Sequence, residues 1–220
     1  MDWFPLELSL RVALIATFFV VILGTGLGWL LARRSFPGRE LIDAVVTLPL
    51  VLPPTVLGYY LLVALGQRSP IGRSLESVTG LRLVFTWQGA VVASMVGALP
   101  LVVKTARASI AAVDVNLEQA ARTLGKTEWQ VFYRVTLPLA LRGIIAAGML
   151  AFARALGDFG ATLMVAGNIP GRTQTASIAI YDAIQSGRDD YALILVLILS
   201  ALALSILYVT NRLASQVARW

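Results

Sequence analysis

The chain has no cysteine and no histidine, and Asp, Glu, Lys and Arg together make up only 14% of its 220 residues. An average soluble domain carries about 25% charged residues. Each shortage removes a class of function. Without cysteine there is no disulfide framework, no thiolate nucleophile and no cysteine-ligated zinc. Without histidine there is no imidazole base, triad member or haem ligand. No glycine-rich GxxxxGK[ST] loop is present, so the chain supplies no P-loop nucleotide site. What is abundant is apolar: 58% of the residues are hydrophobic. Such a composition belongs in a lipid bilayer.

Four stretches run without a single charge: Val12 to Ala32, Ala44 to Gln67, Leu83 to Val103 and Tyr191 to Asn211, of 21, 24, 21 and 21 residues. About 20 apolar residues at about 1.5 Å rise each cross a hydrocarbon core of about 30 Å. A fifth, Leu137 to Leu156, is as apolar but carries Arg142 and Arg154. The sequence therefore predicts an all-α polytopic membrane protein with five transmembrane helices, near 12–32, 44–67, 83–103, 137–156 and 191–211, in one domain over 8–214. The first run is too long, and Met1-Asp2 too acidic, for a secretory leader. Eleven Lys and Arg fall on one side of these spans and six on the other, with Arg154 inside a span. The positive-inside rule makes the richer side cytoplasmic, so the N-terminus is expected outside and the C-terminus inside. The tail counts Arg212 and Arg219 on that inner side.

Small residues recur every four positions: Gly24 and Gly28; Gly89, Ala93 and Gly97; Gly143, Ala147, Ala151 and Ala155. Such ladders let helix backbones approach where lipid offers no hydrophobic drive. Pro49, Pro53 and Pro54 interrupt the second span, and Pro100 sits late in the third. Freed carbonyls at membrane depth need a neighbour or a wet cavity, so the break marks either a path through the membrane or a packing kink. Hydroxyls at Thr25, Thr55 and Thr162 are available to line such a path. No cluster of Arg, Ser and Thr stands at mid-span, so no deep high-affinity anion site is expected.

The segment 114–134 lies on the basic side between two spans. Asn116 with Gln119 has capping-box spacing, and Leu117, Ala120, Ala121 and Leu124 follow at i, i+3, i+4 and i+7, predicting a short helix with one apolar stripe. Gly125 stands where a left-handed residue would end it. Thr127 and Gln130 repeat the capping-box spacing and predict a second short helix before Leu137-Pro138 returns the chain to the membrane. Two alanines at the centre of the stripe leave a smooth surface on which another protein can lie close. A DNA-reading helix-turn-helix is the other reading of two short helices and basic charge, but no room remains for a third supporting helix.

Gln119-Ala120-Ala121, three residues, Gly125, nine residues, Val135, one residue, then Leu137-Pro138 resembles the "EAA" signature of ABC-importer permeases, Glu-Ala-Ala-x3-Gly-x9-Ile-x-Leu-Pro. Gln119 replaces the family's Glu and Val135 its Ile, and Glu118 is placed to supply the carboxylate instead. Phe36-Pro37-Gly38, the run from Leu48 to Pro54, Gly58-Tyr59, the run from Phe152 to Thr162 and Asn168-Ile169-Pro170-Gly171 are similar to the permease subunit of molybdate ABC importers. Sulfate/thiosulfate permeases share the loop signature but resemble the proline-rich span less well.

The resemblance implies a type I ABC-importer permease that acts with a second copy of itself. It also implies two ATPase subunits, which bind ATP and Mg and hydrolyse the nucleotide, and an extracytoplasmic oxyanion-binding protein that sets selectivity. This chain would bind no cofactor, no metal and no nucleic acid, and would be no enzyme. Glu118, Gln119, Ala120, Ala121, Gly125, Leu137 and Pro138 would couple it to the ATPase, and tungstate or sulfate are the alternative cargoes. A secondary transporter would need more intramembrane carboxylates, and an intramembrane enzyme a Ser–Lys or paired-Asp set within the spans. Arg154 and Asp158, four apart at the end of the fourth span, are either an anion gate, with Pro49, Pro53 and Pro54 beside the path, or a self-satisfied pair fixing the helix end. The glycine-threaded stretch 158–190 is too broken for a sixth span and is expected to be a re-entrant or surface loop, or a passive connector.

Overall fold

A computed structural model describes residues 2–217, and the side chains of these except at 211 and 213–217; Arg219, counted above, lies outside the described residues. All regular structure among them is helical. The order is α1 (Phe4–Arg33), α2 (Arg39–Val51), α3 (Pro54–Leu65), α4 (Pro70–Thr79), α5 (Trp87–Ala111), α6 (Val115–Thr123) and α7 (Glu128–Val131). A π-helical turn (Phe132–Thr136) leads into α8 (Leu137–Leu156), followed by α9 (Gly160–Ala166), α10 (Ala176–Gln185) and α11 (Asp189–Val217). Four unbroken helices among the described residues are long and apolar enough to cross a membrane, within 4–33, 87–111, 128–156 and 189–210. The expected span 44–67 falls on α2 and α3, which together are apolar enough but bend by 118° at their junction, so it is not one continuous helix.

That junction has a local cause. Leu52 is extended at φ −71° and ψ 139°, Pro53 is extended after it, and Pro54 opens α3. A residue before proline is pushed out of the helical region, and two prolines in series make continuation impossible. Pro49 and Pro100, by contrast, stay inside α2 and α5. A single missing amide removes one ladder bond, which the packed helix tolerates.

Helices α1, α5 and α8 pack together as the core. Their facing surfaces are rich in alanine, with Val20, Val102 and Ile110 buried among them: Ala13, Ala16, Ala90, Ala93, Ala98, Ala106, Ala147 and Ala151 are fully buried. The bulky side chains point the other way, with Leu14, Phe18 and Ile22 more than half exposed on α1. In water this would be inside out; in lipid, close backbone approach is what holds helices together. Gly24 and Gly28 are the contact points. A Cβ on Gly24 would lie 2.7 Å from Val102 Cγ1, and one on Gly28 would lie 3.0 Å from the Arg107 backbone nitrogen.

Three local expectations are corrected. The helix after the third span is capped by Asp114, not Asn116: Asp114 accepts from the Asn116 amide at 2.8 Å and α6 starts at Val115. A carboxylate at the positive helix end competes better than the neutral Asn amide two residues on. The second short helix does not end. The Thr127–Gln130 capping box forms, but the helix it opens runs from Glu128 to Leu156, 29 residues, through the π turn. There Leu137 donates to the Phe132 carbonyl, five residues back. The wider turn gives room for the ring of Pro138, which has no amide to contribute.

The stretch 158–190 is not a surface loop. Ala161, Val165 and Ala166 of α9 are fully buried, as are Ala176 and Ile178 of α10. Small residues allow it: a Cβ on Gly58 would come within 2.7 Å of Met164 Cβ and 2.9 Å of Ala161 Cα, so α3 and α9 touch backbone to backbone. The Ala176 amide donates to Ser9 Oγ at 2.8 Å, which ties α10 to α1.

Gly28→Leu should force α1 away from α5 and lower stability by about 1–3 kcal/mol, as overpacking does. Gly26→Leu, where no atom lies within 4 Å of the added Cβ, should be neutral. Thermal unfolding of the two variants in the same detergent checks the contrast.

Candidate functional site

The loop after α5 is held by one buried carboxylate. Glu118 is 2% exposed and lies on the inward face of α6. Its Oε1 accepts from Arg33 Nε at 3.0 Å and from Thr136 Oγ1 at 2.7 Å, while Arg122 Nη2 stands 3.6 Å from Oε2. Arg33 also donates through Nη2 to the carbonyls of Ile110 and Val113, at 2.8 and 2.9 Å. These carbonyls end α5, where the helix dipole favours a cation. One acid and one base thereby join the ends of α1 and α5 to α6 and to the π turn that leads into α8.

A second pair extends the knot outward. Arg122 grips Glu128 through Nε and Nη2, at 2.7 and 3.3 Å, and Arg34 approaches the same carboxylate at 3.9 Å. The Glu128 carboxylate raises the pKa of the Arg122 guanidinium above its usual value. Beside it Trp29 stacks on Trp129 with centroids 6.0 Å apart, and Phe132 tilts against Trp29 at 5.3 Å.

With its acid turned in, α6 turns its apolar stripe out. Leu117 is 50% exposed and Leu124 78%, Gln119 and Ala120 are exposed, and Ala121 is half-buried. Gly125, at φ +76°, ends the helix: its amide donates to Arg122 O and that of Lys126 to Ala121 O. A left-handed residue at this point lets the chain reverse into α7. Trp129 and Tyr133, 62% and 60% exposed, continue the outward surface. Leu137 and Pro138 lie behind the π turn, half-buried and exposed respectively.

Arg154 and Asp158 meet at the far end of the Glu128–Leu156 rod. Arg154 Nη1 donates to Asp158 Oδ1 at 3.0 Å, and Asp158 Oδ2 accepts from the amide and hydroxyl of Thr162 at 3.0 and 2.5 Å. Asp158 is 3% exposed, so its burial is offset by three donors. Arg154 passes over α5 at Gly97, where an added Cβ would sit 3.5 Å from Nη2. The elbow joins this end too: Pro54 Cβ would lie 3.0 Å from a Cβ on Gly160. The structure therefore brings Pro54, Arg154 and Asp158 to one end, with Pro53 next to Pro54. It leaves Pro49 on α2, and Glu118, Gln119, Ala120, Ala121, Gly125, Leu137 and Pro138 toward the opposite end of the rod.

Sequence reasoning missed Arg33, Thr136 and Trp129. Arg33 was counted only as a topology charge, and its separation of 85 residues from Glu118 leaves no local signal.

A helical bundle with small-residue contacts, a broken span and a rigid outward-facing loop is the architecture of a membrane transport subunit. The chain belongs to the binding-protein-dependent transport system inner membrane component family, whose pattern matches residues 24–219. It is thus a multi-pass inner-membrane protein and a transport component, not an enzyme. Among named relatives it is 48% identical to the molybdenum transport system permease protein ModB of Escherichia coli K12, over 97% of this chain and 93% of that one. It is 45% identical to the putative molybdenum transport system permease protein YvgM of Bacillus subtilis, over 86% of this chain and 83% of the relative. The sulfate transport system permease protein CysT of E. coli K12 is 33% identical, over 97% and 76%. Solved structures share the fold: the MetNI methionine ABC transporter, at TM-score 0.73 and 19% identity with both chains fully covered. A bacterial ABC transporter that imports alginate matches at TM-score 0.76 and 16% identity, over 97% of this chain and 78% of that one.

Removing Glu118 alone leaves Arg33 buried without its acid, so Glu118→Ala should cost about 3–5 kcal/mol. Combining Glu118→Leu with Arg33→Met should cost less than the two single changes together. A double-mutant cycle on thermal unfolding reads the difference.

Proposed function

We propose that this chain is the membrane-spanning permease subunit of an ATP-driven importer whose cargo is molybdate. The observation that carries the reading is the unbroken rod Glu128–Leu156, about 43 Å long at 1.5 Å per residue. It has an outward apolar loop at one end and the Arg154–Asp158 clamp at the other. A push on the loop reaches the clamp without crossing a hinge, as rigid-body gating requires.

In this reading residues 114–134 are the coupling loop within a transmembrane domain over 8–214. Gln119, Ala120 and Ala121 lie in a groove of an ABC ATPase subunit, and Gly125 sets the turn that presents them. Glu118 acts from inside, holding α6 to α1 and α8 instead of touching the ATPase, and Leu137 and Pro138 fix the π turn that relays its motion. Two ATPase subunits, each using ATP and Mg, serve a pair of copies of this chain. The N-terminus lies outside and the C-terminus in the cytoplasm, in keeping with the excess of Lys and Arg on the loop's side. An extracytoplasmic protein delivers the oxyanion. Arg154 releases Asp158 to meet it at a gate beside Pro53 and Pro54, with Pro49 shaping the approach. Molybdate is favoured over sulfate because the molybdenum relatives are 45–48% identical and the sulfate relative 33%.

Proteoliposomes holding the whole complex with its binding protein test the reading. Molybdate uptake should require ATP and withstand excess sulfate; uptake displaced by sulfate would overturn the cargo. Ala120→Asp, at an exposed position, should release the ATPase on purification while the chain stays folded. Arg154→Gln should cut uptake by about tenfold or more with assembly intact, the scale of a lost charge-assisted contact.

A further inference from the structure

The arm α2 is fastened to α5 by a charged cluster. Every residue of α2 keeps at least partial exposure, and Leu41, Val45 and Val51 are 60–78% exposed. Its hold on α5 is Asp43, whose two carboxylate oxygens accept from Lys104 Nζ at 2.9 and 3.0 Å. Arg107 Nη1 adds a contact to Oδ1 at 3.2 Å. Lys104 and Arg107 stand one turn apart on a stretch of α5 that Gly28 clamps to α1, so the base of the cluster is set in the packed bundle.

Both ends of the arm are built to pivot. Gly38 precedes α2 at φ +87°, and the extended Leu52 with Pro53 follows it. Arg39 holds the near end, donating through Nη2 to the Leu31 carbonyl. The far end carries the elbow into α3, and α3 rests against α9 beside the Arg154–Asp158 clamp. Asp43 is 27% exposed and its two cations 41% and 33%. Water reaches all three groups, so the cluster can part without stranding a buried charge. A core ion pair such as Arg33–Glu118, at 14% and 2%, lacks that freedom.

We propose that Asp43, Lys104 and Arg107 form a latch that fixes α2, and through it the elbow at Pro53, in one of two transport states, and that opens in every cycle. Asp43 is a positioning residue: it touches no cargo and acts through the elbow. The inference rests on the importer reading above and assigns a moving part within it.

Because the chain has no cysteine, Glu40→Cys on α2 and Ala108→Cys on α5, both exposed, allow the permease to be spin-labelled at these two positions alone before it is assembled with its partners. Two distances that exchange weight between the nucleotide-free and the ATP-trapped complex are expected; one distance unmoved by nucleotide would overturn the latch. Asp43→Asn should lower molybdate taken up per ATP hydrolysed by about tenfold, within the usual range of coupling energies, while hydrolysis continues. Asp43→Glu should restore the ratio. An unchanged ratio in Asp43→Asn would also overturn the latch. A wild-type complex that imports no oxyanion would instead overturn the importer reading, and the label distances would still decide whether the arm moves.

Discussion

The carboxylate of Glu118 is the constraint on which the rest of the loop end of the bundle depends. It joins α6 to the end of α1 and to the π turn through Arg33 and Thr136. Arg33 answers the acid and at the same time satisfies the last carbonyls of α5. A guanidinium can do this because its donors form a fixed fork, whereas an ammonium has only a point charge to offer. Breaking such a pair is costly because the surviving charge stays buried. The cost is what makes the junction rigid, and rigidity is what a loop needs if it is to transmit force.

The bundle above this junction follows from a solvent that offers no hydrophobic reward. Helices there are held by proximity, so the inner faces of α1, α5 and α8 are rich in alanine and glycine beside buried Val, Leu and Ile, while many large side chains face outward. Proximity also explains why segments that look structureless in sequence are packed. Glycines at 58 and 160 let α3 and α9 meet at backbone distance, and a stretch too short to span becomes part of the wall.

Rigidity and mobility are divided cleanly in this arrangement. The Glu128–Leu156 rod has its proline placed at a π turn, where the missing amide does no harm. The α2–α3 pair has its prolines placed where no helix can continue, so the chain bends by 118°. The same residue type thus leaves one path straight and bends another, and the difference lies in whether the local hydrogen-bond register can shift by one residue. Buried charges hold the stiff part, and water-accessible charges hold the part that bends.

The sequence by itself determined the spans, the small-residue contact faces, the elbow and the loop's turn. Each rests on a local rule: run length, a four-residue period, paired prolines, or a glycine after a helical stripe. It also supplied the resemblance from which the transport reading began. It placed Glu118 on the partner-facing side because position alone ranks it beside Gln119, and it ended the helix before Leu137 because proline usually marks an end. Only the tertiary structure decided that Glu118 points inward to Arg33, that α7 and α8 are one rod, that α9 and one face of α10 are buried, and that Asp43 pairs with Lys104 and Arg107. The two ion pairs among them join groups 61 and 85 residues apart. Periodicity and spacing carry no information at that range, because a charge finds its partner only after the helices have packed.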